Sequence, residues 1–138
     1  MSVHNYYLNR CFELALIAEN EGESAVGSVL VLNGAIIGEG YEQSRQRNDV
    51  TRHAEVVAIL NAIANNHDCK GAILYSNVEP CILCSYVIRH YQIATVVFSK
   101  LCGELGGTNS RFNILTTDVI SLWTDAPEII LLKRDESF

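Results

Sequence analysis

The chain has 138 residues, a formal charge of −6, a pI near 5.1, and 49% hydrophobic against 19% charged residues. That length fits a single domain, residues 1–138, with a core of its own. The acidic balance disfavours extended binding to nucleic acid, and no apolar run approaches the roughly 20 residues that span a bilayer. The opening residues hold no basic region followed by an apolar core, so the expected location is cytoplasmic. Five cysteines without a secretion signal read as reduced thiols, free to bind metal.

Residues 4 to 19 place Leu8, Cys11, Phe12, Ala15, Leu16 and Ala18 near a 3.6-residue period, which predicts a helix. Val26 to Leu32 and Ala35 to Gly40 are apolar runs joined by Asn33-Gly34. This dipeptide favours a tight hairpin because both turn residues need positive φ. A polar loop over residues 42 to 50 precedes a helix from Arg52 to Asn65, with Asp49 or Thr51 as its cap and His53 and Glu55 in its first turn. A short strand over residues 72 to 76 leads to a second helix that begins at Pro80, a residue suited to the first helical position. Residues 93 to 98 and 128 to 132 read as strands, residues 103 to 109 as a glycine-rich loop, and a helix is expected around Phe112–Leu115. Strands joined by helical crossovers after an initial hairpin predict a three-layer α/β/α sandwich with a mixed five-stranded sheet.

Two stretches carry chemistry: His53-Ala54-Glu55 and Glu79-Pro80-Cys81-Ile82-Leu83-Cys84. Residues three apart on a helix are neighbours, so Cys81 and Cys84 can reach one point. With His53 they make three zinc ligands and leave the fourth tetrahedral position for water, the layout of a catalytic site. Glu55 is placed to move protons for that water. The backbone N–H groups of Ala54 and Cys81, at helix starts, are further candidate donors to a substrate. A Cys-x-x-Cys pair also fits a redox pair, or half of a structural zinc site completed by Cys69 or Cys102. The redox option leaves His53 and Glu55 without a role. Cys11 reads as a core residue, His4, His67 and His90 as surface or helix-end histidines, and Trp123 and Phe138 as anchors or pocket covers.

In order these residues read H-x-E followed by P-C-x-x-C, the signature of zinc deaminases. The chain resembles the cytidine-deaminase-like superfamily, in its nucleobase and tRNA-adenosine branch, over roughly residues 5 to 100. Ile37-Gly38-Glu39-Gly40-Tyr41 and Leu74-Tyr75 are similar to that branch as well. The resemblance implies a homodimer and one zinc ion per chain. Departures from the family pattern bear on the substrate. Ala25 replaces a usual proline, and Asn77 stands where threonine or serine lines the pocket. No helix is read after the last strand, which implies an open pocket or one filled by a partner subunit. Glu42 stands where the branch usually has an asparagine that contacts the base. An ionised glutamate only accepts hydrogen bonds, so Glu42 favours a ring edge rich in N–H groups.

The expectation is therefore a zinc-dependent hydrolytic deaminase of a free nucleobase or similar small aminated heterocycle. Guanine is favoured over cytosine, a pterin, an aminotriazine or creatinine, and nucleic acid is not expected as a partner. One rival is a tRNA adenosine deaminase, against which the net charge and Glu42 both count. The other is a non-catalytic, zinc-stabilised interaction domain, against which the intact Glu55 counts.

Overall fold

In a computed structural model of the chain, residues 2–134 are described. Helix α1 (Val3–Asn20) starts at Ser2, whose Oγ accepts the Asn5 N–H at 3.2 Å and so satisfies one of the orphan donors of the first turn. It buries Tyr7, Leu8, Cys11, Leu14, Ala15 and Ala18. The apolar stripe is thus rotated from the expected one: Leu14 points inward and Leu16 is 56% exposed. Strands β1 (Gly27–Leu32) and β2 (Ala35–Tyr41) pair antiparallel around Asn33 and Gly34, whose φ values are 53° and 79°. The hairpin expected from Asn-Gly is present for the reason given.

Helix α2 (Ala54–Ala64), strand β3 (Ile73–Ser76), helix α3 (Ile82–His90) and strands β4 (Thr95–Phe98) and β5 (Glu128–Leu131) follow. The sheet order is β2-β1-β3-β4-β5, with β1 antiparallel to both neighbours and β3, β4 and β5 mutually parallel. Side chains alternate across this mixed sheet. Val29, Val31, Tyr75 and Val97 pack with Tyr7, Leu8, Cys11 and Leu14 of α1. Leu30, Leu74, Val96 and Phe98 pack on the other face with Ile59 and Ala62 of α2 and Ile88 of α3. Two apolar cores on opposite faces make the three expected layers, and each fully buried Leu or Ile contributes about 1.5–3 kcal/mol.

The helix expected around Phe112–Leu115 is absent; the segment between β4 and β5 is turns and irregular chain. Arg89 of α3 holds this irregular chain in place: its guanidinium donates to the carbonyls of Ile114 (3.0 Å), Thr117 (2.8 Å) and Thr124 (3.3 Å), giving non-helical backbone its hydrogen-bond partners. The Trp123 ring lies 4.8 Å from the same guanidinium, so Trp123 anchors this segment and covers no metal-side pocket. Phe138 lies outside the described residues. His4, read from the sequence as a surface or helix-end histidine, has its Nδ1 2.8 Å from the Tyr75 hydroxyl.

The hairpin positions the site through Gly38 and Gly40, where α2 lies directly on β2. A Cβ on Gly40 would stand 2.5 Å from Ala58 N and 2.6 Å from Ala54 O, both helix backbone. Gly40→Ala must push the start of α2 off the sheet. It is expected to lower stability by about 1–3 kcal/mol, as overpacking of a tight interface does, read as a fall in the midpoint of urea unfolding.

Candidate zinc centre

Both helices that approach the site begin with a metal-ligating residue at the cap. His53 is the N-cap of α2 and Cys81 the N-cap of α3, each with extended backbone and neither making a side-chain cap hydrogen bond. His53 therefore does not lie in the first helical turn, as expected from the sequence, but just before it. This removes the difficulty that residues two apart do not share a helical face. His53 leaves from extended chain while Glu55 leaves from the helix. Asp49, expected as a cap, instead accepts the Thr51 N–H and hydroxyl in the turn leading to α2. Pro80 sits one position before the α3 cap, not at the first helical position.

His53, Cys81 and Cys84 bring one ligand atom each to within 4.8 Å of one another. His53 Nδ1 lies 3.4 Å from Cys81 Sγ and 3.5 Å from Cys84 Sγ, and the two sulfurs are 3.9 Å apart. A tetrahedral zinc with Zn–S about 2.3 Å and Zn–N about 2.0–2.1 Å separates two sulfurs by about 3.8 Å and nitrogen from sulfur by about 3.6 Å. The three measured edges fit that ion. Hydrogen bonds from Cys84 and His53 pull the Cys81 thiol down to about 4, and the bond to Cys81 together with burial holds the Cys84 thiol well up. The bond to Cys81 raises His53 to about 9. A thiolate at the N-terminus of α3 is favoured by the helix dipole, and a cation replaces the shared protons. Neither Cys69 nor Cys102 joins this cluster among the described residues, so the four-protein-ligand alternative finds no support in the geometry.

Glu55, in the first turn of α2, is 4% exposed and its Oε1 accepts the Ser76 hydroxyl at 3.0 Å. Among the chain's own groups its carboxyl is pushed up to about 7, chiefly by burial, with hydrogen bonds from Cys84 and Ser76 opposing the shift. A carboxyl in that range can both take and return a proton near neutral pH. A cavity of about 290 Å³ opens beside it, lined by Glu42, His53, Glu55, Glu79, Cys81 and Cys102 among others.

Of the substrate-binding residues expected from the sequence, Glu42 reaches this cavity, with one carboxylate oxygen receiving the Ser44 hydroxyl at 2.7 Å. Ala54 is the first residue of α2, and its N–H is among those an α-helix leaves without an internal partner. Asn77 is placed elsewhere. Its Oδ1 accepts the Gly27 N–H and its Nδ2 donates to Ala25 O, both at 2.9 Å, so its amide clamps the entry to β1. It lines a separate cavity of about 520 Å³ against α1. Sequence reasoning missed Ser76 and Glu79. Ser76 carries no signal beyond being a strand-end serine. Glu79 is an acid inside the cysteine motif, and that position was its one visible sign.

The family model for the cytidine and deoxycytidylate deaminase zinc-binding region matches residues 1–100. The chain belongs to this family of zinc-dependent hydrolytic deaminases. It is 38% identical over 112 residues to a tRNA-specific adenosine deaminase of Aquifex aeolicus, covering 80% of this chain and 74% of that protein. A structure from a study of A-to-I editing by tRNA:A34 deaminases at the wobble position superposes with a TM-score of 0.85 at 26% identity. That match covers 95% of this chain and 100% of the other. A guanine deaminase of Bacillus subtilis matches less of the chain, 73% against 66% of its own, with a TM-score of 0.67 and 35% identity.

These relatives overturn two expectations, the free nucleobase as substrate and the exclusion of nucleic acid as a partner. The physical error was to treat the net charge as a surface property. Glu23, Glu42, Glu55 and Glu79 are buried, and Glu13 and Glu39 both hold Arg10. The formal charge therefore overstates what a polyanion would meet.

Freshly purified protein should carry one zinc per chain by elemental analysis, with one histidine nitrogen and two sulfurs as its protein ligands. Cys81→Ala should lose the ion and lower the melting temperature, since metal binding is coupled to folding. Metal-free protein from an unchelated preparation would contradict the assignment.

Proposed function

We propose that this chain hydrolyses adenosine to inosine and ammonia within tRNA. The observation that carries the reading is the 38% identity to a tRNA-specific adenosine deaminase across 80% of the chain, which includes both ligand-bearing helix starts and Glu55. His53, Cys81 and Cys84 are the residues that hold zinc. When bound, zinc supplies a Lewis acid that activates water near neutral pH.

The remaining roles belong to the chain. The Glu55 carboxylate accepts a proton from the attacking water and delivers it to the purine ring nitrogen. The same carboxylate then takes the proton of the hydroxyl newly added to the amino-bearing carbon and passes it to the amino group, which leaves as ammonia. Ser76 holds Oε1 in place during these transfers. Glu42, an acceptor in the cavity wall, receives an N–H or O–H of the bound nucleoside.

The reading includes a single domain, a cytoplasmic location and a homodimer. Among the described residues no helix is long and apolar enough to cross a membrane. Leu101 and Leu105, 62% and 58% exposed on either side of the cavity-lining Cys102, offer apolar surface for a second copy to cover. Light scattering should give twice the chain mass.

The deciding experiment incubates the zinc-loaded protein with transcribed tRNAs and with free guanine, and reads inosine by mass spectrometry and ammonia release. Inosine should appear in tRNA; its absence from every tRNA tested would refute the reading. Glu55→Ala should keep zinc and lose about 10²–10⁴-fold in turnover, and comparable turnover would assign proton transfer to another group. Glu42→Gln turns one acceptor into a donor facing a donor. It should cost about 10- to 100-fold in kcat/KM on the RNA substrate.

A further inference from the structure

Cys81 occupies a position where serine or aspartate would normally hold the first turn of a helix, and its thiol belongs to the metal cluster. The first turn of α3 is capped from outside instead. Residues 102 to 108 cross it as a strap. Leu105 O accepts the Ile82 N–H at 3.0 Å, the Gly107 N–H donates to Pro80 O at 2.8 Å, and Cys81 forms an isolated antiparallel bridge with Gly106. The strap replaces the cap that the ligand cannot provide.

Both ends of this strap are tied to one carboxylate. Glu79, 4% exposed, accepts the Cys102 N–H on Oε1 at 2.9 Å. Its Oε2 accepts the Thr108 N–H at 3.0 Å and also the Thr108 hydroxyl. A Cβ on Gly106 would collide with this carboxylate, and one on Gly107 with the Ser85 hydroxyl, so the strap lies as close as backbone permits. The Ser85 hydroxyl in turn donates to Cys81 O at 2.7 Å. The strap therefore holds the backbone on both sides of Cys81, at Pro80 and Ile82, while Ser85 holds Cys81 O.

We propose that Glu79 is a positioning residue of the zinc centre: by tying both ends of the 102–108 strap it seats the Cys81 backbone and sets the affinity for the ion. Glu79 lines the cavity but is not one of the three ligating residues, and both its carboxylate oxygens are engaged by the strap, through which it acts. Groups one layer behind metal ligands typically alter affinity 10- to 100-fold when changed.

The test is the zinc affinity of folded protein, measured by competition with a chromophoric chelator. Glu79→Gln keeps the shape but sets an amide donor against at least one of three donors. Its affinity should fall about 10- to 100-fold. Thr108→Val, which removes only the hydroxyl contact, should show a smaller loss in the same direction. Cys69→Ala truncates a buried core residue that does not touch the strap. It should lower the melting temperature and leave zinc affinity unchanged. Wild-type affinity in Glu79→Gln overturns the proposal, and so does an equal loss of affinity in Cys69→Ala. If Glu79→Gln does not fold, wild-type affinity in Thr108→Val overturns it.

Discussion

The centre depends on the convergence of two helix starts, those of α2 and α3, on one point. An α-helix leaves its first N–H groups unpaired and carries partial positive charge at that end. Two such ends facing each other repel unless anionic groups stand between them. The Cys81 thiolate is such a group, Cys84 would become a second on exchanging its proton for a cation, and the imidazole of His53 completes a set of donors at tetrahedral spacing. The helix caps are thus given over to ligation, and both caps lack the side-chain hydrogen bond they would otherwise make.

The rest of the fold compensates for that choice. The glycines of β2 let α2 lie against the sheet closely enough to bring Glu55 under the cluster, where Ser76 at the end of β3 meets its carboxylate. Burial alone would leave Glu55 protonated and idle at higher pH; hydrogen bonding to Ser76 and Cys84 moderates this, which suits a group that must take and return a proton. On the α3 side, Arg89 spends its charge on loop carbonyls and fixes the irregular chain that ends in β5. Irregular backbone at a site is stable only where its polar groups find such partners.

Charge is the property most easily misread from this chain. Sixteen acids against ten bases describe a polyanion-repelling protein only if the acids face solvent. Four of the glutamates are interior ligands of N–H and O–H donors or of the reaction itself. Glu23 receives the Arg45 and Gln46 N–H groups, Glu79 the strap, Glu55 Ser76, and Glu42 Ser44. A family whose members include tRNA-specific enzymes is compatible with that distribution.

By itself the sequence determined the metal chemistry, the hairpin and the layered sheet. The hairpin and sheet rest on short-range rules, the positive φ demanded by Asn33-Gly34 and the apolar runs of the strands. The metal chemistry rests on a motif of typed residues, H-x-E then P-C-x-x-C, that is recognisable although 28 positions separate His53 from Cys81. It also singled out Glu55, because a carboxylate two residues from a ligand has few other uses. Only tertiary structure decided that His53 and Cys81 are caps, that Asn77 braces β1, that residues 110 to 122 form no helix, and that Glu79 holds a strap. Each of those turns on a partner distant in sequence. Arg89 reaches carbonyls 25 to 35 residues away, and Glu79 reaches Cys102 and Thr108 across the whole of α3 and β4. Hydrogen bonds of that span leave no periodicity or local composition to read, because they are set by where the folded layers bring the chain together.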